Sequence, residues 1–273
     1  MKNLIKMDFY RLFHTRALKV GIIAAFLVAI LGALFNYVIV EAVKMSIATD
    51  PAAAEGLGLV LPAVSWVLGV DYGEIVFRCT GTFSLLISCV VAASFISTEQ
   101  SCGYVKNFIG QLPDRGYTIV SKFIATSAIQ FIVLLIYALV SLVTAKLFFS
   151  EYIISYSIGH LVGALLTRLL LYFAINAIIV FLCILTKNQS LAMVIGAIFG
   201  LGVTKLVYLI ARSLLSMMGM NINLSNYMPD GINSSLSLYS VDSLYGKAIC
   251  ISIGFIVVFL LGSITIVRKR DVR

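Results

Sequence analysis

Four cations lie inside the apolar stretches of this sequence: Arg78, Lys146, Arg168 and Lys205. A charge in hydrocarbon is costly unless it reaches the headgroups, pairs with a carboxylate or faces water. Glu41, Glu74 and Glu151 stand at the edges of the same stretches and could pair with them. Snorkelling or such pairing is the ordinary fate of these cations. The sharper expectation is that they line a cationic vestibule, with Arg168, about two turns inside its apolar run, facing the interior of the assembly. Neutral polar residues also interrupt the runs: Asn36, Ser84, Ser88, Thr126, Ser127, Gln130, Ser141, Thr144 and Asn176. Hydrogen bonds between helices are their usual use, and contact with a passing substrate is the alternative. Asn36, Arg78, Arg168 and Asn176 are the candidate pathway or vestibule residues.

Other chemistry is missing from the sequence. No GxxxxGK[ST] run occurs, so the chain does not cradle nucleotide phosphates by that route. No HExxH and no GxSxG elbow occur, and the two histidines, His14 and His160, are far apart. The middles of the apolar runs carry no Asp or Glu, which weighs against a proton- or sodium-coupled carrier. The five cysteines, Cys79, Cys89, Cys102, Cys183 and Cys250, are odd in number and form no CxxC. Neither a disulfide framework nor a zinc site is indicated, and a cysteine within an apolar run acts as a small hydrophobe. No catalytic residue, metal or bound cofactor is expected of this chain.

The elements that must position these residues follow from composition. The chain has 273 residues, 61% hydrophobic and 12% charged, with mean hydropathy +1.05. A soluble protein would carry about a quarter charged residues. The class expected is an all-α polytopic membrane protein, one transmembrane domain over 1–273. Six spans are expected, at about 18–40, 75–96, 119–149, 161–185, 191–211 and 247–267. The basic N-terminus precedes a run too long for the core of a signal peptide, so a retained first span is expected. Residues 1–17 read as an amphipathic interfacial helix with Ile5, Phe9, Leu12 and Phe13 on one face. Leu57–Leu68 reads as a short interfacial or re-entrant helix. The fifth run carries Gly196, Gly200 and Gly202, which permit close helix approach.

Basic residues collect on cytoplasmic segments. With both termini inside, 13 of the 20 basic residues but only Asp8, Glu99, Asp114 and Asp271 of the 12 acidic ones fall on the cytoplasmic side. That imbalance sets the orientation. The net charge of +8 is therefore a matter of topology and membrane lipid, and no nucleic acid partner is expected.

The long polar interruption on that side is 97–122, STEQSCGYVKNFIGQLPDRGYTIVSK. Glu99, Tyr104, Lys106, Asn107 and Gln111 are polar or amphipathic, while Val105, Phe108, Ile109 and Leu112 share another side. Pro113 stops the helix and Asp114-Arg115-Gly116 makes a turn. The order Glu99, Gly103, amphipathic run, Pro113-Asp114-Arg115, then Lys122 opening the next span resembles the permease subunits of ABC exporters of the type-two class.

That resemblance implies a coupling helix docking in an ATPase subunit through Glu99, Gly103, Tyr104, Lys106, Phe108, Pro113 and Arg115. It implies that residues 1–17 form the elbow helix and that short helices between spans five and six dip back into the outer leaflet. It also implies two ATPase copies that hold ATP and Mg, a second or related permease, and contact between copies through the first and fifth spans. The expected function is a permease in a bacterial plasma membrane, exporting a peptide antibiotic or another amphipathic or hydrophobic compound. The alternatives are a membrane-embedded enzyme acting on lipid or prenyl substrates, for which Glu99, Asp114 and Arg115 are the polar residues on the cytoplasmic face, and a non-transporting sensor or assembly subunit.

Overall fold

The computed structural model describes residues 2–49, 74, 76–77, 80–101, 116–148, 158–186, 188–217, 223–238 and 240–269. The described residues are all helix and connections, with no strand. In chain order the helices are α1 (Lys2–His14), α2 (Arg16–Thr49), α3 (Thr82–Ser101), α4 (Gly116–Phe148), α5 (Ile158–Thr186), α6 (Gln189–Leu201), α7 (Thr204–Met217), α8 (Pro229–Ser235) and α9 (Asp242–Lys269), with a 3₁₀ turn over Leu224–Tyr227 before α8.

Long apolar runs without internal Pro become long helices. At 1.5 Å per residue, α2, α4, α5 and α9 each measure about 40–50 Å, enough to cross a hydrocarbon layer of about 30 Å. Among the described residues four helices are thus long and apolar enough to span, or five if the bent α6–α7 pair counts as one. This architecture fits a multi-pass helical membrane protein.

The helix α5 is the axis of the bundle, packing against α3, α4, α6, α8 and α9. Every residue from Ala174 to Val180 is buried. A continuous run longer than a helical turn has no outward face, as expected of a central helix. The outer helices do have one: Ile23, Phe26, Leu27 and Leu31 of α2, and Ile253, Val257 and Leu261 of α9, are exposed. Lipid covers such faces in a bilayer.

Two boundaries differ from the expectation. The first span was expected to end near residue 40, yet α2 continues to Thr49 because Glu41 and Lys44 do not break a helix. The run 191–211 was expected as one span, but it bends by 71° between α6 and α7. Gly202 ends α6 in the left-handed conformation, φ 70°. Its N–H bonds the Phe199 carbonyl and the Val203 N–H bonds the Ile198 carbonyl, the paired bonds of a glycine-terminated helix. By itself α6, at 13 residues and about 20 Å, does not reach across the hydrocarbon layer.

Two glycines of that run make the close helix approach expected of them within the chain. Gly196 and Gly200 lie one turn apart against α3 of the same chain. A Cβ on Gly196 would stand 3.0 Å from the Cys89 carbonyl oxygen, and one on Gly200 would overlap the Leu86 Cα. Small residues at this spacing let two backbones touch, and here that contact is within the chain.

Beyond the bend, α7 and α8 are tied together. The buried Asp230 carboxylate accepts from the Thr204 hydroxyl and from Tyr208 Oη at 2.7 Å. Glu74, also buried, accepts the Leu238 N–H at 2.5 Å, joining the lead-in of α3 to the α8–α9 connection. The expected segment Leu57–Leu68 lies outside the described residues.

Candidate functional site

Arg168, Tyr172 and Asn176 recur every fourth residue along α5, so they form one polar stripe on the central helix. Each reaches a different neighbour. Arg168 is 2% exposed. Its Nη1 donates to the Phe77 carbonyl and to Thr80 Oγ1 at 2.7 Å, and its guanidinium carbon lies 3.6 Å from the centre of the Phe77 ring. Tyr172 Oη lies 2.8 Å from both the Thr80 and Gly81 carbonyls and 2.7 Å from Ser84 Oγ. Asn176 Nδ2 donates across to α4, to Thr126 Oγ1 at 2.8 Å and Ser127 Oγ at 3.1 Å.

The upper part of the stripe has a structural reason. Thr80 and Gly81 are non-helical and buried or half-buried at the start of α3. Irregular backbone at membrane depth survives only where protein satisfies it. Local hydroxyls meet part of the demand: Thr80 Oγ1 donates to the Phe77 carbonyl at 2.6 Å and Ser84 Oγ to that of Thr80 at 2.6 Å. Arg168 and Tyr172 supply the rest from α5 and thereby fasten α3 to the central helix.

Arg168→Leu removes two charge-assisted hydrogen bonds and a desolvated cation–π contact, offset in part by the relief of a buried charge. The net expectation is a loss of about 2–4 kcal/mol of unfolding stability. Arg168→Lys should not restore it, because a point ammonium cannot both stack on Phe77 and fork to Thr80. Thermal unfolding in detergent micelles checks both.

The lower part of the stripe is not fully satisfied. Among the described residues Asn176 Oδ1 has no partner, nor does either end of the fully buried Gln130 carboxamide. Gln130 follows Thr126 and Ser127 by one turn on α4, on the side that meets Asn176. A buried polar group without a partner costs about 1–3 kcal/mol. Where α4 faces α5, the bundle therefore holds spare hydrogen-bonding capacity for a polar group.

A second polar contact lies at the other end of α3 and α4. The buried stripe of α1 is Leu4, Asp8 and Leu12, at spacing four. Of the residues expected on the amphipathic face, Leu12 is on this stripe, Ile5 and Phe9 are half-buried and Phe13 is 51% exposed. A carboxylate can sit mid-face because Ser121 Oγ of α4 donates to Asp8 Oδ2. One turn on, the Arg11 guanidinium carbon stands 5.6 Å from the Phe95 ring centre on α3. Buried Lys122 follows Ser121. α1 thus packs on the start of α4 and, through Arg11, reaches α3, so it touches both helices that flank residues 102–115.

No family model and no curated protein matches this chain. Its function must be argued from the seam and the clamp alone.

Of the residues singled out from sequence, Arg168 and Asn176 are brought onto one stripe. Glu99 lies in the last turn of α3. The side chains of Glu99 and Asn36, and Arg78, Gly103, Tyr104, Lys106, Phe108, Pro113 and Arg115, lie outside the described residues. Sequence reasoning missed Tyr172 and the Asp8–Ser121 contact. The spacing of Arg168, Tyr172 and Asn176 could have flagged the first, and the lone acid in a basic helix the second.

Proposed function

We propose that this chain is the transmembrane permease subunit of an ATP-driven exporter, resembling the type-two ABC permeases, and that it moves a peptide antibiotic or another amphipathic or hydrophobic compound out of a bacterial cell. In this reading α2, α3, α4, α5, the α6–α7 pair and α9 are six crossings with both termini cytoplasmic. ATP and Mg belong to a separate ATPase subunit, present in two copies, and a second or related permease completes the pathway.

The observation that carries the reading is the clamp of α1 on α3 and α4. Residues 102–115 join those two helices, so force applied there is shared by three helices. At its far end α3 is fastened to α5 by Arg168 and Tyr172. A push on the connection therefore moves α3 against the central helix, along the α4–α5 seam that holds Gln130 and Asn176. The energy comes from differential binding of the ATPase's nucleotide states to that connection.

The test is purification of the chain by mild extraction, followed by identification of accompanying proteins. The expected result is an ATPase in equal amount, with ATP turnover stimulated by amphipathic peptide. Recovery without an ATPase sinks the exporter reading, and turnover of lipid or prenyl phosphate by the lone chain would favour the enzyme.

A further inference from the structure

The seam between α4 and α5 changes character along its length. Asn176 meets Thr126 about 15 Å in from both Gly116 and Thr186, so the two helices agree on the depth of the polar part. Gln130 follows one turn on, about 21 Å from Gly116 and well inside a hydrocarbon layer of about 30 Å. Among the described residues neither end of its carboxamide has a hydrogen-bond partner. Neither does Asn176 Oδ1 nor, two turns beyond Gln130, the hydroxyl of Tyr137. Gln130 and Asn176 are 0% exposed and Tyr137 is 2% exposed.

Past Gln130 the seam parts. A groove of about 240 Å³ runs between Phe131, Leu134 and Leu135 of α4 and Val162, Leu166 and Leu169 of α5, and every residue lining it is apolar. Phe131, Leu135, Val162 and Leu166 are exposed, so the groove opens outward, where lipid would surround the bundle. Leu134 and Leu169 are buried and form its floor. Leu134 lies one turn from Gln130 on the same side of α4. An open apolar groove and an unpartnered carboxamide are thus one helical turn apart.

The unpartnered atoms narrow the occupant. Gln130 offers donors at one end and an acceptor at the other, and Asn176 Oδ1 adds a second acceptor. A cation would face the Gln130 amino group, and an anion would face the two carbonyl oxygens. A charged ligand therefore leaves part of the set unmatched. A secondary amide matches both parts: its N–H donates to a carboxamide oxygen, and its carbonyl accepts from Gln130 Nε2.

We propose that the α4–α5 seam binds an amphipathic amide, a short peptide or an N-acyl compound, with its apolar chain in the groove and its amide at Gln130 and Asn176. Leu134 swings aside to admit the amide. The site deepens the exporter reading by naming the group recognised, and it rests on that reading only for the ligand's being cargo.

The experiment uses the full chain in phosphatidylcholine nanodiscs, photolabelled with N-methyldodecanamide carrying a diazirine in its alkyl chain. Mass spectrometry should place the label in residues 131–138 and 162–169. Unlabelled N-methyldodecanamide should compete at about one-tenth the concentration needed of methyl dodecanoate, an ester of the same length without the N–H, equivalent to about 1.4 kcal/mol. Gln130→Leu should abolish that preference, while the melting temperature stays level or rises because an unpartnered buried amide has gone. Leu135→Trp, at an exposed position, should fill the groove and lower labelling several-fold. Equal competition by amide and ester would overturn the proposal, because the groove would then hold any lipid-like chain. So would a preference that survives in Gln130→Leu, or label outside the groove. A clear fall in the melting temperature of Gln130→Leu would overturn it as well, since resident water would then already satisfy the carboxamide. Failure of an ATPase to accompany the chain bears on the exporter proposal alone.

Discussion

Gly200→Ala is expected to lower unfolding stability by about 3 kcal/mol, the upper end for overpacking. The added Cβ would overlap the Leu86 Cα, a backbone atom that cannot rotate aside. Either α6 shifts along its length or the α3–α6 contact opens, and both disturb the start of α3 that Arg168 and Tyr172 hold. Gly196→Ala should cost less, about 1 kcal/mol, since its Cβ meets the Cys89 carbonyl oxygen at 3.0 Å and a few tenths of an ångström suffice. Gly254→Ala is the control, because nothing stands within 4 Å of its Cβ position and the residue lies inside α9. Alanine there should be neutral or stabilising by about 0.5–1 kcal/mol. Thermal unfolding of the three variants in one detergent ranks them. If the glycines instead served contact between two copies, Gly200→Ala would split the dimer and leave the monomer's unfolding unchanged.

The contrast between these glycines shows what could be read from the sequence and what could not. Runs such as 119–149 and 161–185 announce helices, found at Gly116–Phe148 and Ile158–Thr186, because bilayer thickness sets their length and no Pro or central charge interrupts them. The bend at Gly202 was hidden. A glycine inside an apolar run is compatible with close packing or with termination, and only the φ of 70° decides. The use of Gly196 and Gly200 was equally open, because a small-residue face does not name its partner.

The polar stripe of α5 was half legible. Arg168 and Asn176 stand out in an apolar run, and their spacing puts them on one face. What Arg168 holds could not be read, since the Phe77 carbonyl is 91 positions away and belongs to a stretch whose departure from helix has no composition signal. The buried place of Asp8 on α1 was not legible. Periodicity ranks residues by hydrophobicity, whereas Asp8 is buried against a hydroxyl on another helix. Long-range satisfaction of a polar group is invisible to any local pattern.

Glu99→Arg and Asp8→Ala are expected to separate docking from coupling. If the exporter reading holds, Glu99, in the last turn of α3, stands where the ATPase must seat. Reversing its charge should remove the ATPase from the purified complex, a loss of about tenfold or more in recovery, equivalent to at least about 1.4 kcal/mol of binding. Asp8 lies on the buried side of α1 against Ser121. Asp8→Ala leaves the Ser121 hydroxyl without its carboxylate, for a stability cost of about 1–3 kcal/mol, but should leave the ATPase attached. The clamp would then be loose: ATP would still be hydrolysed, while stimulation by amphipathic peptide would fall several-fold. Asn at position 8 is the conservative comparison, since its carboxamide can still accept from Ser121 and should keep most of the stimulation. ATP turnover with and without peptide, measured on complexes of equal ATPase content, distinguishes the cases. If Asp8→Ala merely unfolds, Asp8→Asn still bears on the clamp, because stimulation lost in a folded Asp8→Asn complex would show that the carboxylate charge, and not the Ser121 hydrogen bond alone, holds α1 in place. Full stimulation in a folded Asp8→Ala complex would mean that α1 is a passive anchor, and the path from 102–115 to the α4–α5 seam would have to run through α3 alone.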